Sequence, residues 1–287
     1  MNTNRYLFLT AMAPIIWGST YYITTEFLPH GYPITVALLR ALPAGMLLLL
    51  LVRQLPQPQM WIRLLILGAL NFSLFWWLLF ESAYRLPGGV AATLGAVQPL
   101  IVMSLARVWL GESIRVVSVI GGAMGVVGIA LLLLSPNAQW DVIGILAGLG
   151  GALSMAAGTV LSRRWQPDVS PLTFTSWQLI AGGLLLWPFA MWLEPPLPNI
   201  TQLNLVGFTL LGLLGAAISY ALWFRGVAKL STSSVSTLGF LSPIVAVLLG
   251  WLLLDQFLTA TQILAIGIVL FSIWLSQQSQ VDTTIKS

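Results

Sequence analysis

The sequence contains no cysteine, a single histidine and very few charged side chains. Without cysteine, disulfide bonds, thiolate metal ligands and a cysteine nucleophile are excluded. Only 7% of the 287 residues are Asp, Glu, Lys or Arg, and 58% are hydrophobic, whereas a soluble globular domain has roughly 25% charged residues. A surface so poor in charge would not stay dissolved in water, and the composition therefore predicts an integral membrane protein.

Motifs of enzymes and of nucleotide-driven pumps are also missing from the sequence. It has no His-Glu-x-x-His, no P-loop and no Gly-x-Ser-x-Gly, and the lone His30 falls in a predicted outer loop. We therefore expect no enzymatic activity, no metal site and no cofactor. The twelve Lys and Arg residues are scattered between apolar runs, which is typical of topology control and argues against a nucleic-acid partner.

Ten apolar runs divide the chain, and each is long enough to cross the hydrocarbon core, which takes about 20 residues. The runs cover residues 6–27, 33–52, 61–83, 88–107, 115–134, 140–162, 171–192, 203–224, 231–253 and 259–276. The gaps between them are short and rich in proline, which breaks helices. The pattern predicts an all-α membrane protein with ten transmembrane helices.

The basic residues indicate the orientation of these spans. With a cytoplasmic N-terminus, the inner segments contain ten of the twelve Lys and Arg residues, the outer loops contain only Arg85, and Arg40 lies inside span 2. Since Lys and Arg accumulate on the cytoplasmic side, we expect both termini there. The inner set comprises Arg5, Arg53, Arg63, Arg107, Arg115, Arg163, Arg164, Arg225, Lys229 and Lys286.

The second half of the sequence repeats features of the first. A shift of 144 residues places Pro99 on Pro243, and a shift of 138 places Gly45 on Gly183. Each identity between apolar runs is weak alone, but the ordered Pro, Thr and Gly matches indicate a true internal repeat. The change of shift places six extra residues near the proline-rich loop 193–202.

The predicted repeat units are residues 1–137 and 138–287, with five spans each. Because five is odd, the second unit enters the membrane from the opposite side. Such inverted-topology repeats are common among secondary transporters, which bind their solute near the midplane between the halves. The sequence thus predicts an alternating-access transporter of a small solute.

Arg40 is the most informative charged residue. It lies about 10 Å into span 2 from the outer side at 1.5 Å per residue, where a charge is costly and is usually functional or paired. One interpretation is a contact for a solute carboxylate; the other is a structural pair with Glu26 or Glu81. The repeat places the neutral Gln178 at the equivalent depth from the inner side.

Polar and aromatic side chains share one region of spans 3 and 8. Asn71, Phe75 and Trp76 lie in span 3, and a shift of 144 places Trp76 on Tyr220. Aromatic rings with a polar edge suit an amphipathic solute. The alternatives are ordinary helix packing and an interfacial aromatic belt. The mid-span position of Trp76 and Tyr220 fits a belt poorly and favours a solute cavity.

Two proline pairs are predicted to break spans 4 and 9. They are Gln98-Pro99 and Ser242-Pro243, which are equivalent in the repeat. Proline removes a backbone donor and frees a carbonyl, so such points can line a cavity or act as hinges in a transporter. A static kink is the alternative interpretation of both.

Several stretches resemble EamA-type transporters of the drug/metabolite transporter superfamily. The stretches are Pro14 to Ser19, Arg40, and the run from Ala91 through Pro99 to Leu110-Gly111-Glu112. The second half repeats the last run as Val235 to Pro243, but it ends in Leu254-Asp255-Gln256 and so departs from the Gly-Glu pair. The order of these stretches together with ten spans carries the resemblance over nearly the whole chain.

The resemblance implies a central cavity and transport of amino acids, related amines or other metabolites, usually outward, across a bacterial inner membrane. Carried onto this chain, it implies these cavity residues: Trp17, Asn71, Phe75, Trp76, Gln98, Ser154, Met155, Tyr220 and Ser242. Arg40, on span 2, would then be a gate or cavity-edge residue. The expected partners are the solute and membrane lipid, and we expect a monomer or a weak homodimer.

Three other functions compete with amino-acid or metabolite transport. An exporter of hydrophobic cations is disfavoured by Arg40 without an acidic residue at mid-membrane, because a cation site needs negative charge. A membrane-embedded enzyme is disfavoured by the missing catalytic motifs. A non-transporting structural or receptor protein is disfavoured by the inverted repeat.

Overall fold

A computed structural model describes residues 3–29, 31–85, 94–133, 141–253 and 259–284, and within these ranges it contains helices and no strand. The all-α class is therefore confirmed. His30 and the start of the fourth apolar run lie outside the described residues. The α-helices are α1 Thr3–Gly18, α2 Thr20–Phe27, α3 Pro33–Val52, α4 Trp61–Gly68, α5 Leu74–Arg85, α6 Gln98–Leu110, α7 Val116–Leu133, α8 Val142–Arg164, α9 Pro171–Leu193, α10 Gln202–Thr209, α11 Ser219–Lys229, α12 Thr232–Leu238, α13 Leu241–Leu253 and α14 Ala260–Thr284.

Among the described residues, six helical stretches are long and apolar enough to cross a membrane. They are Pro33–Val52, Pro58–Ser82, Val142–Arg164, Pro171–Leu193, Gln202–Lys229 and Thr232–Leu253. Three shorter apolar helices are Gln98–Leu110, Val116–Leu131 and Ala260–Ser276. Large apolar side chains such as Leu50 and Met191 point outward, with 70% and 75% of their surface exposed. A lipid-facing surface explains this exposure, and the chain is a multi-pass membrane protein.

The ends of α3 and α9 are fixed by proline and by polar caps. Each helix begins with a proline, Pro33 or Pro171, whose missing N–H is not needed in the first turn. The carboxylate of Glu194, which follows α9, accepts hydrogen bonds from the N–H groups of Ile34 and Thr35 at 2.6 and 2.7 Å. These contacts satisfy free donors at the positive end of α3 and join α9 to α3.

Two spans contain π-helical segments in their middle. Ala69–Ser73 joins α4 to α5, and Leu210–Ile218 joins α10 to α11. A π-helix has one extra residue in the turn, which shifts the side chains that follow, and such segments are frequent at functional sites. A shift of 144 residues places 69–73 on 213–217, inside the second segment.

Three spans are interrupted. The first apolar run was expected to form one helix, but it breaks at Ser19, where the backbone N–H bonds to the carbonyl of Ile16 three residues back. Turns at 96–97 and 239–240 precede α6 and α13. Pro99 and Pro243 therefore lie in the first turn of the helix after each turn, where proline is tolerated.

The most extensive helix packing is between α3 and α9 and between α7 and α14. Gly45 of α3 lies against Ile180, and Gly183 of α9 lies against Leu42, so closely that a Cβ added at either glycine would be 2.8 Å from the neighbouring side chain. Helix α1 packs on α11 and α13, whereas α8 packs on α5 and α6. The largest buried cluster of apolar side chains lies among α1, α3, α5, α8, α9 and α11.

Candidate functional site

Arg40 is held inside the helix bundle by a carbonyl and an aromatic ring. Its side chain is only 6% exposed, and its Nη2 donates to the carbonyl oxygen of Gly215 at 2.7 Å. Its Cζ lies 4.7 Å from the ring centroid of Trp76, a cation–π distance. The Gly215 carbonyl belongs to the second π-helical segment and also accepts from Ser219 at 2.8 Å. The guanidinium therefore connects α3 to the second π-helical segment, where the backbone is irregular.

Glu81, one of the two acids considered as partners of Arg40, forms an ion pair with Arg85. The two side chains are 2.5 Å apart, and Asp141 lies 3.8 Å from the same guanidinium. The hydrogen bond from Arg85 to Glu81 raises the pKa of the guanidinium above its ordinary value, and burial opposes the shift. Arg85 lies just beyond the membrane-crossing stretch Pro58–Ser82, so this pair is at the end of the helix.

Four aromatic rings from four chain segments meet beside Arg40. We call Trp17, Phe72, Trp76 and Tyr220 the aromatic cluster. The ring of Tyr220 lies 4.7 Å from Trp17, 4.8 Å from Phe72 and 6.0 Å from Trp76, between ring centroids. The indole N–H of Trp17 donates to Ser219 at 2.8 Å. The rings are tilted or edge-on to one another, which are the arrangements that aromatic pairs prefer. Together they form an aromatic wall beside the guanidinium.

A set of buried polar side chains surrounds Asn71, the sequence neighbour of Phe72. We call Asn71, Ser162 and Gln178 the amide cluster. The Asn71 Nδ2 donates to Gln178 Oε1 at 2.8 Å and to Ser162 Oγ at 3.0 Å, and Ser162 Oγ is 3.2 Å from Gln178 Oε1. All three side chains are 0% exposed. Within the described part of the chain, Asn71 Oδ1 and Gln178 Nε2 have no hydrogen-bond partner.

Small residues of α8 make room for the first π-helical segment. Ser154 Oγ donates to the carbonyl of Leu70 at 2.8 Å, and Gly158 lies against the side-chain amide of Asn71. Ser154, Gly158 and Ser162 are four residues apart and therefore share one face of α8. Small residues at this spacing allow close helix contact in membranes.

Replacing Gly158 by alanine should displace Asn71 and lower thermal stability. The added Cβ would overlap the amide of Asn71, which is held by Ser162 on the same helix as Gly158 and by Gln178 on α9. Overpacking of this kind costs about 1–3 kcal/mol, and we expect a melting temperature several degrees lower in detergent. Gly151→Ala is the matched control on the same helix, because its Cβ would be 3.6 Å from the nearest atom. Equal melting temperatures for the two variants would contradict this packing.

Most residues predicted for the site come together, and two do not. Trp17, Trp76 and Tyr220 are in the aromatic cluster with Arg40 beside it, and Asn71 and Gln178 are in the amide cluster. Ser154 adjoins the amide cluster, and Met155 and Phe75 pack in the same apolar core. The two residues outside both clusters are the half-buried Gln98 and Ser242, at the starts of α6 and α13.

Three contributors were not predicted: Phe72, Ser162 and Gly215. The repeat contained a usable signal for Gly215, because a shift of 144 places Asn71 on it. Ser162 could have been found from its spacing with Ser154 on α8. Among the residues that the structure describes, no three His, Cys, Asp or Glu side chains could hold a metal ion together.

A polar cluster at one end of the bundle joins the two halves of the chain. We call Glu112, Arg163 and Thr232 the Glu112 cluster. Glu112 Oε1 lies 3.3 Å from Arg163 Nε, and Thr232 Oγ1 donates to Glu112 Oε2 at 2.6 Å. Arg163 also donates to the carbonyls of Val227 and Leu230. The cluster holds the ends of α6, α8 and α11 to the start of α12.

A family model agrees with this architecture. The model of the EamA-like transporter family matches residues 4–134 and 142–277. The chain belongs to the EamA-like transporter family. This EamA-family chain is 41% identical over 267 residues to Protein PecM of Dickeya dadantii, covering 92% of this chain and 90% of that protein. It is 29% identical over 268 residues to the uncharacterized inner membrane transporter YedA of Escherichia coli K12, covering 91% and 87%.

Two further similarities extend over the EamA-family chain. An uncharacterized transporter of Synechocystis is 30% identical over 303 residues, covering 97% of this chain and 92% of that one. A solved crystal structure has a TM-score of 0.84 over 100% of both chains at 17% identity, a likeness that concerns the fold alone. The EamA-family chain is therefore a membrane transporter of small solutes.

Proposed function

We propose that the protein is an alternating-access exporter or facilitator of amino acids or related small metabolites in a bacterial inner membrane. In this proposal ten transmembrane helices form two inverted five-helix repeats, residues 1–137 and 138–287, with both termini in the cytoplasm. The solute binds between the repeats, at Arg40 and the aromatic cluster. The two segments matched by the family model, 4–134 and 142–277, fall one on each proposed repeat.

Two glycine contacts support the repeat. Gly45 contacts Ile180, and Gly183 contacts Leu42. A shift of 138 residues converts Gly45 into Gly183 and Leu42 into Ile180, so each contact becomes the other when the halves are exchanged. Such reciprocal contacts are expected of a pseudo-two-fold axis that passes between α3 and α9.

Two hydrogen bonds support the repeat independently of the glycine contacts. Arg40 bonds to Gly215, and Gln178 bonds to Asn71. The shift of 138 converts Arg40 into Gln178, and the shift of 144 converts Asn71 into Gly215. The two bonds therefore join equivalent positions of the repeat, although Arg40 donates to a backbone carbonyl and Gln178 accepts from a side-chain amide.

The packing of the helices against one another also supports the repeat, because it is preserved when the two halves are exchanged. The contact of α1 with α11 corresponds to that of α8 with α5, and the contact of α1 with α13 corresponds to that of α8 with α6. A transporter built in this way has two mirror-related arrangements of nearly equal contacts. Rocking of one half against the other then opens the central site to either side.

The buried guanidinium beside an aromatic wall is the observation that carries the choice of solute. A cation within a membrane-spanning helix is costly, and its flat set of donors matches a carboxylate. In this proposal the aromatic cluster, which is packed and largely buried here, supplies an apolar surface for a side chain when one half of the protein moves against the other. A small molecule with a carboxylate and an apolar part fits both, and apolar amino acids have this composition.

Counterflow in proteoliposomes tests the proposal. Vesicles are preloaded with one unlabelled amino acid each, and uptake of the same labelled amino acid is followed without an ion gradient. We expect saturable uptake for apolar amino acids. If folded protein accumulates no amino acid, the amino-acid proposal is wrong; if it accumulates a labelled hydrophobic cation instead, the cation exporter takes its place.

A further inference from the structure

The amide cluster has a spare donor and a spare acceptor deep inside the bundle. With Asn71 bonded to Gln178, the Gln178 Nε2 and the Asn71 Oδ1 have no partner among the described residues. Turning both amides over would exchange their atoms but would still leave one donor and one acceptor. The hydroxyl of Thr159, also 0% exposed, lacks a partner within the same part of the chain.

Buried polar groups are almost always hydrogen-bonded, so this concentration requires an explanation. Asn71, Gln178 and Thr159 come from three different chain segments, the first π-helical segment, α9 and α8. A purely structural core at this point would be served by apolar side chains, which need no partner. Groups that are unsatisfied in one conformation are expected to be satisfied in another.

We infer that the amide cluster is a second binding position for the same solute, which holds the zwitterionic head group of an amino acid when the transporter opens to the cytoplasm. The inference rests on the proposed function. The spare amide N–H donates to the solute carboxylate, and the spare amide oxygen accepts from its ammonium group. Ser162 is a positioning residue, since it bonds to both amides at 3.0 and 3.2 Å.

The relation to Arg40 explains why this position should face inward. Gln178 is the repeat equivalent of Arg40, and the repeat is inverted, so the two lie at equal depths from opposite faces. Phe72 is next to Asn71 in sequence, and its ring lies 5.3 Å from the Trp76 ring that contacts Arg40. A solute could therefore pass from one polar position to the other along the aromatic cluster.

Because Arg40 is charged and the amide cluster is neutral, the two positions should bind the solute with different affinities. A guanidinium meets a carboxylate with a full positive charge and a parallel pair of donors, whereas a neutral amide offers neither. The inner position is therefore the weaker one, and the solute exchanges from it more readily.

Cysteine accessibility tests this inference without knowledge of the solute. The chain has no cysteine, so Ser162→Cys introduces one thiol of nearly the same shape as the hydroxyl. The probe is a membrane-impermeant, cationic methanethiosulfonate applied to inside-out vesicles. We expect labelling of Ser162→Cys from the cytoplasmic face, and we expect a mixture of the twenty L-amino acids to slow it at least threefold.

Ser272→Cys is the matched control. Ser272 is also 0% exposed, but it bonds within its own helix α14 at 2.7 Å, outside both clusters. It should remain unlabelled. If Ser162→Cys fails to insert, Thr159→Cys replaces it, one turn earlier on α8. The inference is overturned if the thiol is not labelled from the cytoplasmic face, or if amino acids do not slow the labelling. Neither result bears on counterflow by the wild-type protein. The second binding position can therefore be wrong while the proposal of amino-acid transport still holds.

Discussion

Replacing Arg40 by alanine is expected to raise the KM for amino-acid counterflow about 10- to 100-fold. Hydrogen bonds to charged groups contribute about 1.5–3 kcal/mol, and the variant removes those between the guanidinium and the solute carboxylate. Arg40→Lys should recover only part of the affinity, because an ammonium lacks the flat pair of donors. The measurement is the concentration dependence of counterflow, corrected for the amount of folded protein in the vesicles.

The decisive comparison uses an amine that lacks the carboxylate. If Arg40 binds the carboxylate, the corresponding decarboxylated amine should compete equally well against wild type and Arg40→Ala. Arg53→Ala is the control, because Arg53 is exposed and follows the same helix α3. A loss of the same size for the amine and the amino acid would mean that Arg40 only joins α3 to Gly215.

Neutralising Glu112 is expected to open the cytoplasmic side of the transporter. The Glu112 cluster joins the two proposed repeats through an ion pair of 3.3 Å and a hydrogen bond of 2.6 Å. Glu112→Gln removes the partly exposed ion pair, which contributes about 1 kcal/mol, and weakens the hydrogen bond from Thr232 because its acceptor becomes neutral. Glu112→Gln should therefore make Ser242→Cys about five- to tenfold more reactive toward an impermeant thiol reagent added from the cytoplasm.

Exchanging the two charges tests whether the ion pair itself, and not another effect of the substitution, holds this side closed. The double variant Glu112→Arg with Arg163→Glu should return the reactivity of Ser242→Cys only part of the way to its original rate, because the ion pair is restored with its signs reversed but the hydrogen bonds from Arg163 to the carbonyls of Val227 and Leu230 are lost. Glu26→Gln is the matched control, since Glu26 is exposed at the end of α2, in the proposed outer half. Unchanged reactivity in Glu112→Gln would mean that the cluster does not hold this side closed.

The helices were predictable because lipid imposes a simple length rule. The runs at 33–52 and 171–192 coincide with α3 and α9 to within one residue, since Pro33 and Pro171 begin both helices. The interruption at Ser19 was not predicted, because no proline lies at that position. The π-helical segments were not predictable either, since hydropathy has the same pattern in both kinds of helix.

Part of the candidate site was predictable from the internal repeat and from the depth of each residue in its membrane span. Arg40, Gln178, Trp76 and Tyr220 were found because their type is unusual in the middle of a membrane span or because the repeat pairs them. Ser162 was missed, since its hydrogen bond to Asn71 crosses 91 positions of sequence, and one serine in an apolar helix carries no separate signal. Such contacts depend on how helices are juxtaposed.

The most direct test of alternating access is the labelling, from both faces, of one residue that adjoins the aromatic cluster. Ser242 is half-buried, and its carbonyl lies against Gly18, the neighbour of Trp17 in the aromatic cluster. In Ser242→Cys the only thiol of the protein lies at this point. We expect an impermeant thiol reagent to label it in intact cells and in inside-out vesicles, with Ser272→Cys unlabelled in both. Labelling of Ser242→Cys from one face alone would contradict a site that opens in turn to each side of the membrane.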